Sequence, residues 1–206
     1  MIQKNHIAEL QSWIYHNSVA IVLALIFFLL YILLPGTEDT FVSFGATSIQ
    51  YLNGEYYRWL TCLFLHYNLR HLLANSIGIL AVASLLSPFL KKRQILFIFL
   101  SGGILAEIAF SIVVSDLIYD IGASSGIFAL IACLTVCILR FPKQFHFIWY
   151  RPDVIITIVY FLFANTSVSA FLVHSFGFAA GIIISFILVM TGRIETADTS
   201  SKSTFL

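Results

Sequence analysis

Six apolar runs, near residues 18–34, 69–89, 94–115, 124–140, 147–164 and 171–191, leave this chain few folds to choose from. A bilayer's hydrocarbon core takes about 20 apolar residues per crossing helix, and irregular backbone facing lipid has no partner for its N–H and C=O groups. The runs therefore predict an all-α membrane protein with a bundle of six transmembrane helices. Charge agrees, since 10% of the 206 residues are charged against roughly 25% in soluble domains. The run at 19–34 is read as a retained first helix rather than a cleaved signal, because its polar leader is long and no small-x-small site follows. The fifth run is the weakest, interrupted at its start by Arg151, Pro152 and Asp153.

Lys and Arg concentrate in cytoplasmic loops. In a six-span arrangement Lys4, Lys91, Lys92, Arg93, Arg140, Lys143, Arg151, Arg193 and Lys202 fall on one side, and only Arg58 and Arg70 on the other. Both termini are then cytoplasmic. The expected organisation is a cytoplasmic segment over 1–17, a six-helix domain over 18–192 and a polar cytoplasmic tail over 193–206. No soluble domain is expected ahead of the first helix. The stretch 35–65, with Pro35, Gly36, Glu38, Asp39 and "NGEYYRWLT", reads as a long aromatic-rich loop suited to the membrane interface. A net charge of +1 gives no nucleic-acid footprint. Cys62, Cys133 and Cys137 form no disulfide framework and read as small apolar packing residues.

With this orientation the second, fourth and sixth helices begin on the non-cytoplasmic side. Their beginnings hold nearly all the polar chemistry inside the spans: "HYNLRHLLAN", "GASSG" and "VHSFGFAAG". Ser124 stands between Gly122 and Gly126 at a helix start, where unpaired N–H groups and the positive end of the dipole favour a developing anion. Small residues and serines also mark close helix contacts and N-caps, so this motif alone leaves both readings open. The pattern fits G-x-S-x-G as well, but a nucleophile elbow needs a strand before the serine, and here both flanks are helical.

His174 shares a helical face with Gly177 and Gly181 at i+3 and i+7. Its ring nitrogens need partners that lipid cannot offer, either a neighbouring carbonyl or a reacting group. His71 and Asn75, at i and i+4, share a face of the second helix, and His66 lies near its mouth. A metal held by His66, His71 and His174 lacks a carboxylate or thiolate in a recognised spacing, and no metal or other cofactor is expected. Asp116 and Asp120 read as keeping their loop wet rather than completing a triad. Glu107, in the third run, is expected to face the bundle interior in a structural or cavity-polarity role.

Together these residues resemble the rhomboid family of intramembrane serine proteases. "EYYRWLT" is similar to the family's first-loop Trp-Arg region, with Tyr57 at the tryptophan and Arg58 retained. "HYNLRHLLAN" fits H-x4-H-x3-N, "GASS" resembles G-x-S-G, and "HSFGFAAG" fits H-x2-G-x3-G. The resemblance implies Ser124 as nucleophile and His174 as general base. It implies oxyanion support from His71, Asn75 and the Ser124 N–H, with His66, Arg58, Gly122, Gly126, Gly177 and Gly181 as auxiliaries. It also implies single-pass transmembrane substrates, membrane lipid as surroundings, and an active site opening to the non-cytoplasmic side, in a bacterial cytoplasmic membrane. One departure stands out: Ser125 occupies the place of the family's glycine after the nucleophile, so two adjacent hydroxyls compete for one role. A proteolytically silent relative that binds transmembrane helices is the alternative, although such relatives lack the serine or the histidine. The oligomeric state is left open.

Overall fold

The structure, a computed structural model, describes residues 2–34, 36–145 and 150–194. Among them are α1 (Ile2–His16), α2 (Ser18–Leu33), α3 (Glu38–Phe44), α4 (Arg58–Thr61), α5 (Leu69–Leu86), α6 (Lys92–Val113), α7 (Ser124–Arg140), α8 (Pro152–Phe163) and α9 (Val168–Met190), with short 3₁₀ turns between some of them. No strand occurs among the described residues; a single isolated bridge joins Ala46 to Asp120. By length and apolarity α5, α6 and α9 can each cross a membrane, and α1 with α2, bent by 69° at their junction, supply a fourth candidate. Helices α7 and α8 are shorter, at 17 and 12 residues.

Every residue from Ser124 to Leu134 is buried, which makes α7 the centre of the bundle. Its neighbours α6 and α9 come close because small residues line the contacts. A Cβ added at Gly126 would lie 2.7 Å from the Phe99 carbonyl oxygen on α6, and one at Gly102 would meet the Ala129 side chain. On α9, Gly177 and Gly181 lie against the carbonyls of Ser125 and Ala129, one turn apart on both helices. In lipid, where helices gain nothing by hiding apolar surface from one another, such close backbone contact is a main source of association. Cys133 and Cys137 are buried free thiols within this packing, and Cys62 is another beneath the first loop.

Two stretches differ from the sequence expectation. The fifth helix begins at Pro152 instead of near 147: Tyr150 lies in a turn, and residues 146–149 fall outside the described set. A residue before proline disfavours helical backbone, and Arg151 is extended with Pro152 at the first helical position, where proline's missing N–H does no harm. Asp153 then receives hydrogen bonds from Arg151 at 2.7 and 3.1 Å and from Ser84 at 3.2 Å, tying the start of α8 to α5. The stretch 35–65 is likewise no open loop. It carries α3, α4 and two 3₁₀ turns, and is pinned to the segment before α7 by the paired Ala46 and Asp120 backbones, at 3.0 and 2.7 Å, and by Gly122 N–H donating to the Cys62 carbonyl at 2.9 Å. The tail beyond 194, Lys202 and Pro35 lie outside the described residues.

Candidate active site

Ser124 is the first residue of α7, and the chain reaches it through Gly122, whose φ is +134°. An L side chain rarely adopts that backbone. Space gives a second reason for glycine, since a Cβ at 122 would lie 2.6 Å from His71 Cε1, 2.7 Å from His71 Nε2 and 3.3 Å from Asn75 Nδ2. The start of α7 is thereby pressed against the His71 and Asn75 side chains of α5. Helix α5 is itself started by Asn68, whose side chain accepts the His71 backbone N–H at 2.9 Å, as expected of an N-cap.

Ser124, His71 and His174 line one cavity of about 780 Å³. Its floor and walls come from α5, the segment before α7, α8 and the start of α9, and Ile77, Ile155, Val159 and Phe163 make much of it apolar. The two neighbouring serines part company here. Ser125 is fully buried and points into the bundle, donating to Glu107 Oε1 at 2.9 Å. Glu107 thus faces the interior, as expected, and of the two serines Ser124 alone lines the cavity.

His174 is held on two sides. Its ring stacks on Phe128, with centroids 4.3 Å apart and planes 7° from parallel, and its Nδ1 lies 2.7 Å from Asn165 Oδ1. A carbonyl oxygen only accepts, so Nδ1 carries the proton and Nε2 presents its lone pair. Phe128 is one turn after Ser124 on α7, so Ser124 and the ring on which His174 stacks share a face. Among the described residues no hydrogen bond joins Ser124 to His174 in this conformation; such bonds commonly tighten only with substrate bound.

His66 packs edge-on against His71 and tilted against Phe27, with ring centroids 5.1 Å away in each case. Burial, and secondarily His71 beside it, pushes its imidazole down to about 3, so it is neutral at physiological pH. Asp120 is half-buried and lines the cavity, its backbone is paired with Ala46, and burial pushes its carboxyl up to about 7; Asp116 is exposed. Arg58 is buried in α4 and ion-paired with Glu55, away from the cavity lining. Among the described residues no cluster of His, Cys, Asp and Glu could hold a metal.

The helices that bear these groups occur in the order and with the residue pattern of one known family, and comparison decides the matter: the Rhomboid domain family matches residues 53–191. The chain belongs to the rhomboid family. YdcA of Bacillus subtilis (strain 168), which carries a rhomboid-protease name, is 32% identical over 145 residues, covering 66% of this chain and 69% of YdcA. The rhomboid protease GluP of the same organism is 34% identical over 123 residues, 59% of this chain but 24% of GluP. With its apolar helices, this rhomboid chain is an integral, multi-pass membrane protein.

Three residues at the site were not read from the sequence. Phe128 lies in an apolar helix and carries no mark beyond its i+4 spacing from Ser124. Asn165, in "FANTS", precedes α9 by three residues, and no regular period links it to His174. Tyr160 lies on α8, where its hydroxyl donates to Asn75 Oδ1 at 2.6 Å; only the tertiary packing of α8 on α5 joins them.

Proposed function

We propose that this chain is an intramembrane serine endopeptidase that cleaves single-pass transmembrane proteins in or near their spans through a Ser124–His174 dyad. The observation that carries the reading is the meeting of Ser124, His174 and His71 on one largely apolar cavity in a member of the rhomboid family. The six apolar segments led by α2, α5, α6, α7, α8 and α9 make the six spans, both termini lie in the cytoplasm, and the cavity opens to the other side. Helix α8, about 18 Å long at 1.5 Å per residue, crosses with help from the turns that flank it. The six-helix catalytic domain runs over 18–192, and the membrane is a bacterial cytoplasmic one.

In the reaction His174 Nε2 takes the Ser124 proton as Oγ bonds to the scissile carbonyl carbon. The carbonyl π electrons move to oxygen, and this oxyanion is met by the Ser124 N–H, His71 and Asn75. Collapse breaks the C–N bond, and the proton on Nε2 goes to the leaving amine. Water then attacks the acyl-enzyme, giving its proton to Nε2, and Ser124 recovers that proton as the acid product leaves. A helical substrate hides its carbonyls in hydrogen bonds, so the segment must unwind into the cavity before Oγ reaches it.

The test is cleavage of a model single-pass substrate in proteoliposomes, together with labelling by a fluorophosphonate. Cleavage with labelling supports the protease; neither, across a panel of substrates, would hand the chain to the helix-binding alternative. Asn165 adds a sharper expectation. With its carbonyl removed in Asn165→Ala, Nδ1 loses the acceptor that selects the productive tautomer, and kcat is expected to fall by about 10-fold or more, a part of the ~10²–10⁴ that a general base typically contributes. The His174 ¹⁵N spectrum should show a protonated Nδ1 in the wild type and a tautomer mixture in the variant. An unchanged spectrum would remove Asn165 from the mechanism.

A further inference from the structure

We infer that Tyr160 is a positioning residue for the oxyanion: by donating to Asn75 Oδ1 it turns the Asn75 amide so that its NH2 faces Gly122 and the approach to Ser124. The inference rests on the protease reading and deepens it. It starts from a buried hydrogen bond of 2.6 Å between α8 and α5. Both partners are almost fully buried, Asn75 at 1% exposure and Tyr160 at 9%.

An asparagine amide has two nearly isosteric ends, and its orientation is decided by its partners. With a phenol O–H donating to Oδ1, the NH2 must point the other way. It does so without a partner: Asn75 Nδ2 is buried and makes no hydrogen bond among the described residues. The position just beyond it is where a Gly122 Cβ would be, 3.3 Å from Nδ2 and 2.7 Å from His71 Nε2. An unpartnered buried donor is unfavourable in the resting enzyme. An oxygen that becomes negative beside it relieves that deficit only at the transition state, and interactions of this kind raise kcat rather than tighten substrate binding.

The fold holds Tyr160 in place for this task. Gly78 follows Asn75 by three residues and so lies on the same face of α5. A Cβ there would lie 2.7 Å from Tyr160 Cδ2 and 2.8 Å from Cε2. Glycine at 78 lets the phenol ring lie directly on the α5 backbone, with its hydroxyl one turn away at Asn75. The ring also approaches Phe128, the platform of His174, at 6.1 Å between centroids. Tyr160 therefore adjoins both halves of the site, and its hydroxyl acts on one of them.

The experiment is a double-mutant cycle on the full chain in proteoliposomes, with Tyr160→Phe, Asn75→Ala and both together, reading kcat and KM for a model single-pass substrate. Tyr160→Phe keeps the ring on Gly78 and removes only the O–H. Its kcat is expected to fall about 10- to 100-fold with KM little changed, less than the ~10²–10³ typical of deleting an oxyanion donor outright. The double variant should be no slower than Asn75→Ala alone, because the hydroxyl acts only through that amide. The fluorophosphonate labelling rate, which also needs a stabilised oxygen, should fall in parallel when measured below the thermal midpoint of each variant. A Tyr160→Phe enzyme within two-fold of wild type would overturn the inference, as would losses that multiply in the double variant. Ser124→Ala in the same assay separates the two readings: if it still cleaves, the protease mechanism itself fails, whatever the cycle gives.

Discussion

Ser124→Ala is expected to abolish both cleavage of a transmembrane substrate and fluorophosphonate labelling, a loss of about 10⁴-fold or more, and His174→Ala to match it. Ser125→Ala should do neither. Two adjacent serines at a helix start point in directions about 100° apart, and here one lines the cavity while the other is sealed inside with Glu107. What Ser125→Ala removes is the donor to a fully buried carboxyl group. Leaving such a group without its partner costs about 1–3 kcal/mol or more, so this variant should label and cleave near the wild-type level while melting at a lower temperature. Thermal unfolding in detergent beside the labelling assay distinguishes the two hydroxyls cleanly. The reverse pattern, labelling lost in Ser125→Ala and kept in Ser124→Ala, would move the nucleophile by one residue and sink the dyad proposed above.

How far the sequence could be read follows the range of the forces involved. Helices were legible where apolarity and length decide them: the runs at 18–34 and 124–140 agree with α2 and α7 to within a residue. The run at 147–164 was read too long because hydropathy does not register what Pro152 does to Arg151. The stretch 35–65 looked like a loop because its short helices are held by contacts to distant residues, such as Ala46 with Asp120, rather than by their own periodicity. At the site, His71 with Asn75 and His174 with Gly177 were visible because each pair repeats at helical spacing on one element. Asn165, Phe128 and Tyr160 were not. Each meets its partner through packing or across a helix start, and an asparagine or tyrosine in an apolar region carries no sign of which buried group it will satisfy.

Gly122→Ala is the substitution in which backbone conformation, packing and chemistry meet, and its expected effect is the second largest. At φ +134° any Cβ is strained, which alone is worth roughly 1–3 kcal/mol. The same Cβ would stand 2.6 Å from His71 Cε1, closer than nonbonded carbons approach, so either His71 retreats or the start of α7 shifts. Neither movement leaves the reacting geometry intact. If His71 gives way, the proposed oxyanion donor is displaced; if α7 shifts, Ser124 moves with it, and a misplacement of about 1 Å can cost ~10²-fold in rate. Cleavage should therefore fall by about 100-fold or more, with a lowered thermal midpoint, whereas Gly54→Ala, where φ is also positive but nothing stands within 4 Å of the added Cβ, should lose stability alone. A Gly122→Ala enzyme that kept its rate and lost only stability would mean that the contact between α5 and the start of α7 does not set the oxyanion site, and the roles proposed for His71 and Asn75 would fall with it.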